Sequence, residues 1–135
     1  MLRFEIRNRS KQAVEIGSLG IPFFNNILEG KTVDEAHRSN VFYDPYIGQD
    51  AGYLQVTRLN GQGKVLLVVP YGKTPFEAYS PLLDDPTPRG IAFEGFYEWT
   101  VFSKARAGQD WKNAKPWNNP TSVVLKPGEL RSYGL

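Results

Sequence analysis

The chain opens on an alternation. In "LRFEIRN", Leu2, Phe4 and Ile6 fall on one side and Arg3, Glu5 and Arg7 on the other. A two-residue period sets one side against a core and the other in water, so the segment reads as a half-buried strand. After the polar Asn8-Arg9-Ser10-Lys11, "QAVEIG" again places Val14 and Ile16 on one face, and the two segments are expected to pair as a hairpin. "SLGIPFFNN" is apolar but interrupted by Gly20 and Pro22, which suits an edge strand or a bulge. The pattern changes at "EGKTVDEAHRSN". Thr32 and Glu35 have capping-box spacing, each side chain reaching a backbone donor, and predict a short helix ending near Asn40.

"NVFYDPYIGQDAGY", residues 40–53, reads as a loop, with Asp44-Pro45 starting a turn and Gly48 permitting a bend. "GYLQVTRLN" and "GKVLLVVPYG" then flank Asn60-Gly61-Gln62-Gly63, where Asn-Gly accepts positive φ at low cost, so a tight hairpin is predicted. Its first arm alternates Leu54 and Val56 against Gln55 and Thr57, giving one wet face. Its second arm, Val65 to Val69, is continuously apolar, the pattern of a strand covered on both faces. "TPFEAYSPLLDDPTPRG" reads as loop with a short strand around Phe76–Tyr79, because its prolines interrupt pairing. "IAFEGFYEWTVFSKA" predicts a long strand with a bend or bulge at Gly95 and Trp99 in the core. "ARAGQDWKNAKPWNNP" is an excursion with a helical turn before Pro116, and "TSVVLKPGELRSYGL" places two strands around a type II turn at Pro127-Gly128.

About eight or nine short strands and one short helix make an all-β, antiparallel β-sandwich. Residues 1–135 are one domain by length, and the strand signal persisting to Leu135 raises the expectation of a piece excised from a larger multidomain protein. A chain of this size buries enough surface to stand without crosslinks. The absence of cysteine excludes a disulfide, a thiol nucleophile and a zinc-thiolate site. Sixteen basic and fourteen acidic side chains are interspersed, leaving +2 without a basic stripe, so no nucleic-acid partner is expected. No apolar run approaches the ~18 residues of a membrane span, and the opening residues do not read as a signal peptide. No cofactor is implied.

The chemistry worth weighing lies in residues 40–53 and in the late excursion. Tyr43, Tyr46 and Tyr53 present aromatic faces suited to a sugar ring, and Asp44 and Asp50 could hold hydroxyls by charge-assisted hydrogen bonds. The plainer reading packs the tyrosines with only their hydroxyls wet. Trp111 and Trp117 flank "KNAKP" and would anchor the excursion, dock a neighbouring domain or meet a ligand, in that order. Asp84, Asp85, Glu94 and Glu98 are further carboxylates. A glycosidase needs two at about 5–5.5 or 6.5–9.5 Å, whereas solvated carboxylates are the default. His37 stands alone, which makes a poor metal site, and no serine occupies a Gly-x-Ser-x-Gly elbow. It reads as a surface or capping side chain. Asn8-Arg9-Ser10 is a glycosylation sequon in an expected turn.

Several stretches together, "AVEIGSLGIPFFNNILEGKT", "NVFYDPYIGQDAGYLQVTRLNG", "LLVVPYGKTPFEAY", "GFYEWTVFSKA" and "TSVVLKPGE", resemble the β-sandwich segment of six-hairpin-glycosidase-like proteins of fungi and bacteria, a glycoside-hydrolase-related family. The likeness spans nearly the whole chain and carries no catalytic signature. It implies a supersandwich, mutarotase-like fold beside an (α/α) helical toroid that houses the acid and base in an extracellular parent. It argues for a non-catalytic domain that braces the toroid and lends a loop to the cleft. The implied partners are that helical catalytic domain and a polysaccharide. Two alternatives stay open: a free-standing carbohydrate-binding module using Tyr43, Tyr46, Trp111 and Trp117, and a small glycosidase using Asp44, Asp50 or Glu98.

Overall fold

The computed structural model describes residues 1–25, 30–82, 95–113 and 115–135. Asp84, Asp85 and Glu94 lie outside them. The described residues form ten strands, the helix α1 (Val33–Ser39) and a single turn of helix, α2 (Lys104–Ala107). The architecture is the expected all-β antiparallel sandwich.

Two three-stranded sheets face each other. One has the order β3 (Leu19–Asn25), β8 (Gly95–Phe102), β7 (Ala78–Pro81), and the other β4 (Val41–Tyr46), β5 (Tyr53–Arg58), β6 (Leu66–Val68). Their inner faces follow the two-residue period: Ile21, Trp99 and Val101 from one sheet meet Leu54 and Val56 from the other. Trp99 is wholly buried, stacked on Phe76 with ring centroids 3.7 Å apart, and its indole N–H donates to the Pro75 carbonyl at 2.8 Å. The largest side chain of the core therefore brings no unsatisfied donor into it. A one-residue register shift between Leu19 and Gly20 interrupts the β3–β8 ladder. Opposite it, the consecutive Val101 and Phe102 both join the apolar core, which strict alternation would not give. The edge position and irregularity expected of β3 are both present.

A ribbon closes the side of the sandwich, and here pairing departs from expectation. β1 (Arg3–Arg7) does not form a hairpin with β2 (Val14–Ile16). It pairs with β10 (Leu130–Gly134), while β2 pairs with β9 (Val123–Leu125). Phe4 and Ile6 do turn inward, and Phe4 packs on Tyr133 at 5.9 Å. Asn8 sits where the two halves of the ribbon meet. Its Nδ2 donates to the Gln12 and Leu125 carbonyls at 2.7 and 2.8 Å, and its Oδ1 accepts from the Ser10 N–H and hydroxyl. The sequon asparagine is thus buried and fully engaged, not displayed on a turn. Lys126–Glu129 forms the expected type II turn around Pro127, closed by the Glu129 N–H to the Lys126 carbonyl, with Gly128 at φ 78°.

The capping box forms as the spacing predicts. The Glu35 N–H donates to Thr32 Oγ1, and the Thr32 N–H donates back to the Glu35 carboxylate at 2.8 Å. Two further expectations are corrected. Half of residues 40–53 is strand, with Asp44-Pro45 inside β4. Proline is tolerated there because β4 is an edge and pairs only with β5. The apolar run from Val65 is not sandwiched either: β6 is the opposite edge, and Leu66 is 60% exposed. The β5–β6 hairpin itself is present, wider than a two-residue turn, with Gly61 at φ 69°.

Candidate functional site

β4 and β5 are joined by residues 47–52, and this turn is held from three sides. The Gly52 N–H donates to the Gly48 carbonyl at 2.8 Å. A Cβ on Gly52 would stand 2.6 Å from a ring carbon of Phe76 and 2.7 Å from that same carbonyl, so only glycine lets the turn lie on the core. From the late excursion, Asn118 Oδ1 accepts from the Gln49 N–H, while its Nδ2 donates to the Phe76 and Glu77 carbonyls.

Glu77 is the centre of this region. It is 3% exposed. One carboxylate oxygen accepts from the Ser103 N–H at 2.8 Å and the Ser103 hydroxyl at 2.6 Å. The other accepts from the Thr121 hydroxyl and from the Gln49 amide at 3.4 Å, and the Thr121 N–H is shared between the two. Neutral donors from three chain segments thus surround a buried acid, and among the described residues no ion pair reaches it. Sequence reasoning passed over Glu77. Its only local signal was an acid between the apolar Phe76 and Ala78.

The pinned hairpin sorts the tyrosines by parity. Tyr43 turns inward, packs against the core and sets its hydroxyl 3.5 Å from the Phe24 carbonyl; burial raises its pKa. Tyr46 and Tyr53 are cross-strand partners on the outer face, stacked at 4.5 Å and 12°. Asp44 lies two residues before Tyr46 on that face, opposite Gln55. Its carboxylate, by its attraction for the phenolic proton and by its charge, raises the Tyr46 pKa. Tyr46, Pro45, Ile47, Gly48, Ala51 and Trp117 line a groove of about 450 Å³. Trp117 is 88% exposed, so it does not anchor the excursion; the neighbouring Asn118 does. Trp111 is half-buried and lines none of the grooves described. Asp50 stands apart from Asp44, on a second groove of about 480 Å³ that also includes Tyr53, Lys73 and Thr74.

The structure therefore joins Tyr46 to Trp117 in one groove and to Tyr53 and Asp44 along the outer face. Asp50 shares the second groove with Tyr53, and Tyr43 and Trp111 lie apart. Glu98 is buried on the outer face of the other sheet. Arg106 clasps it at 2.8 Å through both guanidinium ends, and Thr100 donates to it, which is a structural engagement. His37 is exposed in the last turn of α1. Among the described residues no cluster of His, Asp or Glu could hold a metal ion, and no helix is long and apolar enough to cross a membrane.

These features define a class first: an antiparallel β-sandwich with a glycine-pinned hairpin and an aromatic outer face. Within that class, the chain belongs to the family of unknown function DUF5695, which matches residues 1–135. No curated protein sequence matches it. Among solved structures it is similar to a polysaccharide lyase, with a TM-score of 0.64 and 15% identity over 97% of this chain. The chain spans 16% of that lyase's length, and at this identity the likeness establishes the fold.

Proposed function

We propose that the chain is a non-catalytic, architectural β-sandwich of a larger carbohydrate-active, glycosidase-like protein, seated by an apolar flank on a helical catalytic domain. The observation that carries this reading is the β6 edge. Val65, Leu66, Leu67 and Val69 all face solvent by more than half of their surface. Leu67 and Val69 continue into a groove of about 540 Å³ with Met1, Leu2, Pro22 and Tyr71. Contiguous exposed aliphatic surface on a sheet edge marks an interaction site. The likeness to a small part of a much longer polysaccharide lyase supports the accessory role and the carbohydrate context. A fold alone hosts many functions, so the two parts are tested separately.

The sequence flanking residues 1–135 in the natural gene product comes first: a helical region with paired carboxylates is the expected neighbour. Hydrogen exchange then compares residues 65–71 in the isolated chain and in the longer protein. Slower exchange in the longer protein is expected; unchanged rates would remove the β6 flank as the seat.

A further inference from the structure

The exposed tryptophan beside the Tyr46–Tyr53 pair has a different chemistry from the β6 flank. An aliphatic edge suits another protein, whereas aromatic faces next to polar side chains suit a ligand with one C–H face and a rim of hydroxyls. Trp117 is not on a loose segment: the adjacent Asn118 makes hydrogen bonds to Gln49, Phe76 and Glu77. The backbone on which the indole stands is therefore fixed before any ligand arrives, while the ring remains in water. Fixing an aromatic contact in advance lowers the entropic cost of binding.

We propose that Trp117 and Tyr46 form a platform for a neutral pyranose ring of a polysaccharide, with Asp44 as the hydroxyl acceptor at its margin. The groove's volume of about 450 Å³ falls inside the ~300–1,000 Å³ typical of small-molecule clefts. Tyr53 backs Tyr46 by stacking, which holds its ring in one orientation. The cross-strand pair Asp44 and Gln55 lies one rung along the same outer face, about 7 Å away for a two-residue step, so aromatic and polar rungs follow each other along the sheet. None of the groove's lining residues is basic, and the acidic Asp44 stands nearby. A uronate carboxylate would meet repulsion there. The platform selects neutral sugars.

This inference rests on the carbohydrate context proposed above, but not on the β6 flank, and its test leaves that flank untouched. Affinity electrophoresis of the 135-residue chain uses soluble β-glucan, xylan and mannan as probes, with polygalacturonate as the anionic control. Retardation by at least one neutral glycan and none by polygalacturonate is the expected result. Trp117→Ala and Tyr46→Ala should each weaken the retardation constant by between about threefold and tenfold, the loss expected for one aromatic contact. Trp117→Phe, which keeps a ring, should retain most of it. Trp117 is the tryptophan most open to water, so glycan saturation should shift the emission of the parent chain to shorter wavelength and leave Trp117→Ala unshifted. No retardation by any neutral glycan, preference for polygalacturonate, or binding that survives Trp117→Ala would each overturn the proposal.

Discussion

Removing the Glu77 carboxylate tests whether a buried acid held by the neutral donors of Ser103, Thr121 and Gln49 organises the region beneath the hairpin. In Glu77→Ala the Ser103 N–H, which is buried, loses its 2.8 Å acceptor, and the partly buried Thr121 N–H loses both of its acceptors. Hydroxyls can rotate toward other partners, but backbone donors cannot. An orphaned buried donor costs about 1–3 kcal/mol, so one full and one partial orphan place the loss at roughly 2–4 kcal/mol. Glu77→Gln is milder. Its amide nitrogen can occupy the position that faces the Thr121 and Gln49 side chains, leaving its oxygen on Ser103. What remains is the loss of charge assistance, about 1 kcal/mol. Urea unfolding followed by tryptophan emission measures both, since Trp99 lies in the same core as Phe76, next to Glu77 in sequence. Small domains have about 5–15 kcal/mol in total, so the alanine variant should show a clearly lower midpoint with an unchanged slope. An alanine variant within ~0.5 kcal/mol of the parent, or a glutamine variant worse than alanine, would refute the role given to Glu77.

Three shorter predictions follow. Gly52→Ala drives a methyl group into Phe76 and the Gly48 carbonyl, and should cost about 1–3 kcal/mol by the same unfolding assay. Burial lifts the pKa of Tyr43, Tyr79 and Tyr133 above the usual 10.0. Their contribution is therefore full below pH 10.0 and is lost as pH rises through the raised values; a titration monitored at 295 nm should show late ionisation coupled to unfolding, and Tyr79→Phe should flatten it. Glu35 is shifted the other way, below 4.5, by the Thr32 backbone and hydroxyl donors. The α1 cap should hold above pH 4.5 and weaken as acid passes the lowered value; backbone chemical shifts of Val33–Ser39 report this, and Glu35→Gln should remove the dependence.

Local signals were legible where the chain itself carries the constraint. The alternation of Phe4 and Ile6, the Thr32–Glu35 box, the Asn60-Gly61 reversal and the Pro127-Gly128 turn each depend on neighbouring residues, and each is present. Partner choice was not legible. Nothing within "LRFEIRN" distinguishes pairing with residues ten positions on from pairing with Gly134 and Tyr133 at the far end. The run from Val65 to Val69 was misread because hydrophobicity marks surface that prefers burial without saying that this chain supplies the cover. For the site, residue types were legible and their directions were not. Once β4 is known to begin at Val41, parity alone sends Tyr43 inward and Asp44 and Tyr46 outward. Asn118 and Glu77 gave no periodic signal, because their work is done through hydrogen bonds to distant segments.

The ribbon that closes the sandwich also fixes how the molecule responds to force. Leu2 and Leu135 exchange both of their backbone hydrogen bonds at 2.8 Å, and Arg3 faces Gly134 next along the ladder. Tension applied through the two ends therefore loads one rung at a time, opening the ribbon like a zip, where a shearing geometry would load all rungs together. The peripheral strands yield first, while the sheet around Trp99 remains intact until they have peeled away.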